Sequence, residues 1–279
     1  MTPRPKRRGS FFFVVAPKTK PLSRLSPLLF RLNLYILTTM LNRVVHCRLF
    51  CCLELLFAML VAAVFCACNG NDMNRGDEAL RIGDYDRAIA NFSKVLDGEP
   101  ANRDARYGLA IAYYAIAEDK ERLKENTLAL WERTAREFKI LTAIDSSDKV
   151  TPLYSTTLFY LARAMLVENE HAKVMRLLDE SIQLDPSNYF SYNLKALILG
   201  SQGDTDGAKK IYAYIVTREP KFASAYVNLG NLYWNAHDYE SAWDIWSMGH
   251  EALPQDPVLA KWTRVAEDSL KAMVYSGKL

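Results

Sequence analysis

The chain has 279 residues and a formal net charge of +3, but its charges and cysteines are unevenly distributed. Ten basic residues and one acid precede residue 69, a net charge of +9, so the remaining 211 residues must carry −6. This balance argues against nucleic-acid binding, because the C-terminal part has no excess of cations to neutralise phosphates. All five cysteines also precede residue 69, which excludes disulfides and zinc–thiolate sites from the C-terminal part.

Residues 1–39 form a basic, proline-containing extension. We expect this extension either to be disordered or to lie upstream of a true start at Met40. Because it lacks acids and contains arginine and serine, it is also typical of an organellar transit peptide. The sequence leaves these alternatives open.

Residues 40–67 have the order of a secretory signal peptide: a short basic start, an apolar run over 49–65 interrupted by Glu54, and small residues before Cys68. The end of this segment resembles the lipobox of bacterial lipoproteins, although Phe65-Cys66 are unusual there. That resemblance implies lipidation of Cys68, with palmitate among the attached groups, and a membrane-anchored protein of the bacterial cell envelope that faces the periplasm or the exterior. An uncleaved signal anchor in the inner membrane is the alternative.

Four similar 18-residue stretches begin at residues 83, 169, 203 and 237, and each ends on a proline. Pro186, Pro220 and Pro254 are spaced by 34 residues, and Pro100 precedes the first of them by 86 residues, which is 34 plus 52. Each stretch opens on a small or turn-forming residue and an acid, then follows the apolar pattern of a helix. Since proline cannot continue a helix, each stretch is predicted to be one helix that stops just before its proline.

Small residues recur at the same register in the helices predicted before these stretches: Gly76, Ala110, Ala162, Ala196 and Gly230. Within the 18-residue stretches, a small or β-branched residue precedes a large apolar one by four places, in the pairs Ala88/Phe92, Val174/Leu178, Ala208/Tyr212 and Ala242/Trp246. Two antiparallel helices approach closely only where small side chains meet, and a large side chain one turn away fills the space beside the crossing. The pattern therefore predicts repeated helical hairpins.

These residues resemble the tetratricopeptide repeat family, most clearly in the last repeat. The matching positions there are Tyr226, Leu229, Gly230, Tyr233, Tyr239, Ala242, Trp246 and Pro254. The resemblance implies an all-α, right-handed α-α superhelix of about five hairpins over residues 68–255, followed by a capping helix and tail at 257–279. The approximate repeats are 70–102, 103–154, 155–188, 189–222 and 223–256.

The second repeat carries 18 extra residues. We expect its second helix to run from Thr127 to Ile144 and to be entered through the charged stretch Glu118 to Asn126. The insertion is expected to project from one edge of the superhelix, where it could contact a partner or a second copy. A solvated loop and an extended helix without a role are the alternative.

The sequence offers no arrangement for catalysis. His171, His237 and His250 form no cluster at metal-ligand spacing. There is no glycine-rich phosphate loop and no serine in a nucleophile-elbow setting. We therefore predict a non-enzymatic protein without a cofactor or a metal ion.

In the tetratricopeptide repeat family, the first helix of each hairpin lines a concave groove. Carried over to this chain, the resemblance implies that a protein or peptide partner binds there. The predicted lining residues share one helical face at i, i+4, i+7 spacing: Tyr107, Ile111, Tyr114, Phe159, Arg163, Leu166, Asn193, Leu197, Val227, Asn231 and Trp234, with Phe190, Gly200 and Asn235 beside them. Recognition of a terminal carboxylate would need cations and asparagines in successive repeats. Asn228 and Asn231 fit that pattern, but Lys195 does not.

The sequence thus predicts a membrane-tethered scaffold or adaptor for protein–protein interactions in the bacterial cell envelope. One alternative is a transport-accessory protein that binds a small apolar ligand in an aromatic cavity. Another is a tetratricopeptide repeat protein held by an uncleaved N-terminal anchor. The identity of the partner and the oligomeric state remain open at this stage.

Overall fold

The computed structural model describes residues 71–144, 149–168 and 170–275, all within the compact unit Phe65–Leu279. The extension 1–39, the signal segment 40–67, Cys68 and the tail 276–279 lie outside the described residues, so the predictions made for them stay predictions.

Regular structure in the described ranges is entirely helical, as predicted. Helix α1 occupies residues 71–82. The others are α2 Tyr85–Gly98, α3 Arg103–Arg122, α4 Leu128–Ile144, α5 Val150–Met165, α6 His171–Leu184, α7 Tyr189–Ser201, α8 Thr205–Arg218, α9 Ala223–Asn235, α10 Tyr239–Ala252 and α11 Pro257–Tyr275, with a short 3-10 helix at Leu166–Glu168.

The repeated prolines end helices as predicted. Helices α2, α6, α8 and α10 each stop two residues before their proline, at Gly98, Leu184, Arg218 and Ala252. Three of the same four helices begin on an aspartate whose side chain accepts a hydrogen bond from a backbone N–H of the first turn: Asp84, Asp204 and Asp238. Such caps satisfy a donor that the helix itself cannot use. Local sequence therefore fixes the C-terminal end of all four helices and the N-terminal end of three of them.

The close crossings within hairpins are confirmed at both ends of the repeat array. A Cβ added at Gly230 would lie 2.1 Å from the indole nitrogen of Trp246, and one at Gly76 would lie 2.6 Å from the ring of Phe92. Ala110, Ala162 and Ala196, at the corresponding positions of the other repeats, are fully buried. The first and second helices of each hairpin thus pack as the small and large residues predict.

The hydrophobic core follows the chain in four consecutive clusters, each formed by neighbouring helices. Besides these contacts between consecutive helices, α5 touches α7, α7 touches α9 and α9 touches α11. Among the described residues, the second helices of successive hairpins, such as α6 and α8, share no contact of similar extent. The stack is a solenoid in which the first helices of the hairpins form one layer, and we call the surface of that layer on α5, α7, α9 and the start of α11 the inner face.

The insertion lengthens three helices, α3, α4 and α5, more than it forms a loop. The charged stretch at 118–126 was expected to lead into the second helix of the repeat, but residues 118–122 are the last residues of α3. Only residues 123–127 form the turn, and α4 then begins at Leu128, one residue later than predicted. Trp131, Phe138 and Leu141 of α4 are fully buried in the largest core cluster. Helix α4 is therefore part of the core, whereas most residues of the charged stretch 118–126 are exposed.

A pair of glycine substitutions tests the hairpin turns. Gly203 has φ +91°, a backbone conformation that costs an ordinary residue energy, and Gly203→Ala is expected to lower the free energy of unfolding by about 1–2 kcal/mol. Gly200 lies inside α7, where a Cβ would meet only ordinary contacts at 3.7 Å, so Gly200→Ala should raise stability by about 0.5–1 kcal/mol. Urea denaturation followed by circular dichroism measures both. Equal effects of the two changes would contradict the assigned turn geometry.

Candidate functional site

A row of phenylalanine rings runs across the inner face. The Phe159 ring on α5 lies 5.8 Å from the Phe190 ring at the start of α7, and Phe190 lies 5.2 Å from Phe222, which caps α9. Phe190 is 59% exposed although it stands between two other aromatic rings. Exposing such a large apolar side chain within a continuous row is typical of a surface that another molecule covers.

Next to this row, α7, α9 and the start of α11 enclose an open cavity of about 400 Å³. Its lining is half apolar and half polar, and consists of Asn193, Leu197, Ala223, Ser224, Val227, Asn228, Asp256 and Val258. The Asn228 side chain donates a hydrogen bond to the Asn193 oxygen at 3.0 Å, which leaves the Asn193 NH₂ group to donate to a ligand. Leu197 is 45% exposed at the rim. We call this cavity together with Phe190 the groove.

The groove combines hydrogen-bonding groups with apolar side chains. Its polar groups are amides, one serine hydroxyl and the carboxylate of Asp256, which accepts hydrogen bonds from the backbone N–H groups of Val258 and Leu259. Amides at this spacing can exchange hydrogen bonds with a peptide backbone, while Leu197, Val227 and Phe190 offer apolar contact.

A polar cluster around Glu121 borders the inner face on the side of α3. The Glu121 carboxylate accepts hydrogen bonds from Thr127 Oγ1 at 2.9 Å, Trp131 Nε1 at 3.2 Å and Arg163 at 2.6 Å. The Arg163 guanidinium also lies over the Tyr160 ring, 4.8 Å from its centre. Glu121 belongs to the inserted segment. The insertion therefore holds in position Arg163, the cation that was predicted from sequence to line the groove.

Burial by itself raises the pKa of Glu121, but the hydrogen bonds from Thr127 and Trp131 and the charge of Arg163 outweigh it, and the pKa lies below the ordinary value of 4.5. A carboxyl with a depressed pKa contributes stability that is present above its unfolded pKa and is lost as the pH falls through the folded pKa.

Glu121→Gln is therefore expected to cost about 1 kcal/mol or less of stability at pH 7, since both partners of the ion pair remain partly exposed. The difference between variant and wild type should shrink as the pH drops below 4.5. Thermal unfolding at a series of pH values measures this difference. A difference that is independent of pH would contradict the role assigned to the ionised carboxylate.

The predicted groove residues fall into separate groups. Asn193, Leu197 and Val227 line one cavity. Phe159 lies at the end of the phenylalanine row, and Arg163 lies with Tyr160 and three acids around a second, polar cavity of about 510 Å³. The half-buried side chains Tyr107, Ile111, Tyr114 and Leu166 pack against the largest core cluster. Asn231 is half-buried on α9 and does not line the groove cavity.

Trp234 does not line the groove cavity. Its ring packs against Tyr239 at 4.7 Å and Trp246 at 5.7 Å, next to the cluster that α11 covers. Tyr114 similarly packs edge-on against Trp131 at 5.4 Å, and burial raises its pKa. Both aromatic side chains pack between helices and stabilise their hairpins. The helical face chosen by the i, i+4, i+7 spacing is wide enough to include such residues as well as those that line the cavity.

Several residues of the site were not predicted from the sequence. Phe222, Ser224, Asp256 and Val258 reach the groove from the starts of α9 and α11, outside the register used for the prediction. A sequence signal did exist for two of them, since Phe190, Ser224 and Val258 are spaced by 34 residues. Glu121 had no such signal, because the insertion interrupts the period there.

Lys195 forms an ion pair with Asp179 of α6 and does not line the groove cavity, in agreement with its poor fit to a carboxylate-binding pattern. In the part of the chain that the structure describes, no three His, Cys, Asp or Glu side chains are grouped closely enough to hold a metal ion. None of the helices in these ranges has both the length and the apolar character needed to cross a membrane.

Stacked helical hairpins define a helical-repeat protein. Residues 73–121 and 193–246 match the tetratricopeptide repeat family. The first match covers α1 to α3 and the second covers most of α7 to α10. No curated protein shows significant sequence similarity to the chain.

Three solved structures are among those similar to this chain. The MamA protein is 22% identical, with 66% of this chain and 91% of that chain covered and a TM-score of 0.48. YrrB, described as a TPR protein with an unusual peptide-binding site, is 14% identical, with 69% and 90% covered and a TM-score of 0.47. The C-terminal part of a TPR repeat-containing protein from Cytophaga hutchinsonii is 14% identical, with 72% of each chain covered and a TM-score of 0.49.

Proposed function

We propose that this chain is a non-enzymatic scaffold that holds a segment of a partner protein in the groove, and that Cys68 tethers it to a membrane of the bacterial cell envelope. The protein-interaction part follows from the tetratricopeptide repeats. The exposed Phe190 beside the amide pair Asn193 and Asn228 is the observation that supports the groove as the binding site.

The composition of the groove favours a peptide over a small apolar ligand. Four of the eight residues that line its cavity are polar, and an apolar ligand would leave groups such as the Asn193 NH₂ without a partner. A peptide segment can satisfy the amides with its backbone and place apolar side chains against Leu197 and Phe190. The transport-accessory alternative needs a dry aromatic cavity, whereas the aromatic rings of the inner face form a row beside a mixed cavity.

Partner capture tests the groove. The full chain carrying a C-terminal tag is purified after cross-linking in its native cells, and captured proteins are compared by quantitative mass spectrometry between wild type and Leu197→Arg. We expect one or more captured proteins to fall at least tenfold with Leu197→Arg, because a charged side chain would block the rim. Leu123→Arg is the matched control, since Leu123 is 67% exposed in the turn after α3 and lies outside the groove. Equal capture by all three proteins would refute the groove as the binding site.

The tether is tested separately. Palmitate labelling and partition into detergent are measured for wild type and Cys68→Ala, and the proposal predicts that the substitution abolishes both. Sequencing the N-terminus of the mature protein distinguishes lipidation from an uncleaved anchor. Retained labelling of Cys68→Ala would refute the lipoprotein part and leave the groove proposal unaffected.

A further inference from the structure

A second, apolar groove lies at the opposite end of the chain from α1. Trp243 of α10 and the last turns of α11 enclose about 380 Å³, and the α11 residues are Glu267, Leu270, Lys271, Val274 and Tyr275. Trp243 is 36% exposed, Val274 63% and Tyr275 91%. We call this the C-terminal groove. It plays no part in the proposed function.

The C-terminal groove exists because α11 is longer than α7 and α9, the two first helices that precede it. Helices α7 and α9 have 13 residues each, and α11 has 19. In the 34-residue repeat, Ser269 is the position equivalent to Asn235, the last residue of α9. Residues 270–275 of α11 therefore extend past the point at which α7 and α9 stop. Leu270 and Val274 lie one turn apart on this extension and share a helical face. An apolar face on a helix end that has no further hairpin beside it in the described chain is an interaction surface.

Further stacking of the same kind is blocked on α11. Gly230 of α9 is the small residue that allows α10 to pack closely. The equivalent position of α11, 34 residues later, is the exposed Arg264. A helix crossing α11 as α10 crosses α9 would have to displace this side chain. A further helix therefore could not cross α11 in the same close way, and the apolar C-terminal turns stay exposed.

The charges on the C-terminal groove are self-complementary. Glu267 and Lys271 lie one turn apart at its edge and pair with each other at 2.6 Å, and both stay about half exposed. If two copies of α11 lie antiparallel around a two-fold axis near Ser269, each Glu267 faces the Lys271 of the other copy and the two Leu270 side chains meet near the axis. A parallel arrangement would instead place like charges opposite each other, which is unfavourable.

We propose that the C-terminal groove is a homodimer interface in which α11 of one copy packs antiparallel against α11 of a second copy. Isologous contacts of this kind close after two copies, so the surface yields a dimer and no filament. The two inner-face grooves of such a dimer would be free to hold two partner segments at once.

The test uses two full-length copies with different tags, co-expressed and purified in a nonionic detergent. Association is measured by co-purification and by light scattering corrected for bound detergent. Wild type is expected to be a dimer. Glu267→Lys and Lys271→Glu should each weaken self-association by about tenfold or more, because each change sets two like charges opposite each other.

Mixing the two variants is the decisive step. A copy with Glu267→Lys paired with a copy with Lys271→Glu brings opposite charges together at both contacts, so the mixed pair should associate about as tightly as wild type. Asp268→Lys is the matched control: Asp268 lies on the same helix outside the groove, and the same change of charge there should leave the dimer intact. Circular dichroism of each variant checks that α11 stays folded.

A monomeric wild type would overturn the proposal. So would single variants that associate as tightly as wild type, or a mixed pair no tighter than the single variants. Release of a different captured protein by these variants, with self-association unchanged, would assign the surface to that partner instead. None of these outcomes depends on the inner-face groove, so they are distinct from failure of the proposed function.

Discussion

Replacing Trp246 with alanine is expected to lower the free energy of unfolding by about 3–5 kcal/mol. The side chain is fully buried, its ring stacks on Trp262 at 5.2 Å, and its Nε1 donates a hydrogen bond to the Val227 carbonyl at 3.3 Å. The glycine opposite, Gly230, has no side chain that could fill the cavity left behind.

Denaturant unfolding followed by circular dichroism measures this loss, and hydrogen exchange should show it concentrated in α9, α10 and α11. That localisation is expected because each hairpin of a repeat protein is stabilised mainly by its neighbours. Trp243→Ala is the control, since Trp243 is on the same helix but 36% exposed, and its loss should be less than half as large. Similar losses for the two tryptophans would contradict the assigned packing of the last hairpin.

Phe190→Ala is expected to weaken binding of the captured partner segment by about tenfold to a hundredfold, the size of effect seen when an aromatic residue central to an interface is removed. Phe190 is expected to act in this way because it is the exposed member of the phenylalanine row and borders the amide pair of the groove. Isothermal titration of the purified segment against wild type and variant measures the change.

Tyr214→Ala controls for the loss of an exposed aromatic ring elsewhere. Tyr214 lies on the second helix α8, is 38% exposed and packs against Tyr192 at 5.1 Å. Its removal should change the affinity by less than about twofold, because interface effects are concentrated in a few residues. A partner segment that binds Phe190→Ala as tightly as wild type would show that the row is not part of the recognition surface.

Helix positions and crossings were predictable because they depend on local chemistry that recurs in each repeat. Proline two residues after a helix, aspartate at its start and a glycine or alanine opposite a large side chain act through neighbours at fixed spacing. The 34-residue period supplied the register between them. This explains why Gly230 and the pair Ala242/Trp246 could be placed at a helix crossing from sequence, while the direct contact between Gly230 and Trp246 is seen in the structure.

Other features depend on contacts between repeats that break the period. Ser155, Ser181 and Ser191 are fully buried, and Ser181 bonds to Ser155 at 2.9 Å and to Ser191 at 2.7 Å. In the following repeat, Ile215 and Ala225 occupy the positions of Ser181 and Ser191. No spacing rule predicts where a polar network replaces apolar packing, since only the fold shows that the hydroxyl groups satisfy one another.

The surface that carries the groove could be predicted from the sequence. Only some of the individual residues that line it could be. Helical spacing selects a face of α9, yet that face is wide enough to include Val227, which lines the groove cavity, and Trp234, which packs against α10. Which of the two is available to a ligand depends on the neighbouring hairpin. The ion pair between Arg163 and Glu121 similarly joins residues 42 positions apart across the insertion.

Photo-cross-linking from within the groove tests the central claim most directly. A photoreactive amino acid is placed at Leu197 in the full chain, or at Lys210 on the exposed surface of α8, and cells are irradiated before extraction. The proposed function predicts a discrete adduct with a partner protein from position 197, none from position 210, and loss of the adduct when Phe190→Ala is added. Absence of an adduct at 197, or the same adducts from both positions, would contradict capture of a partner in the groove.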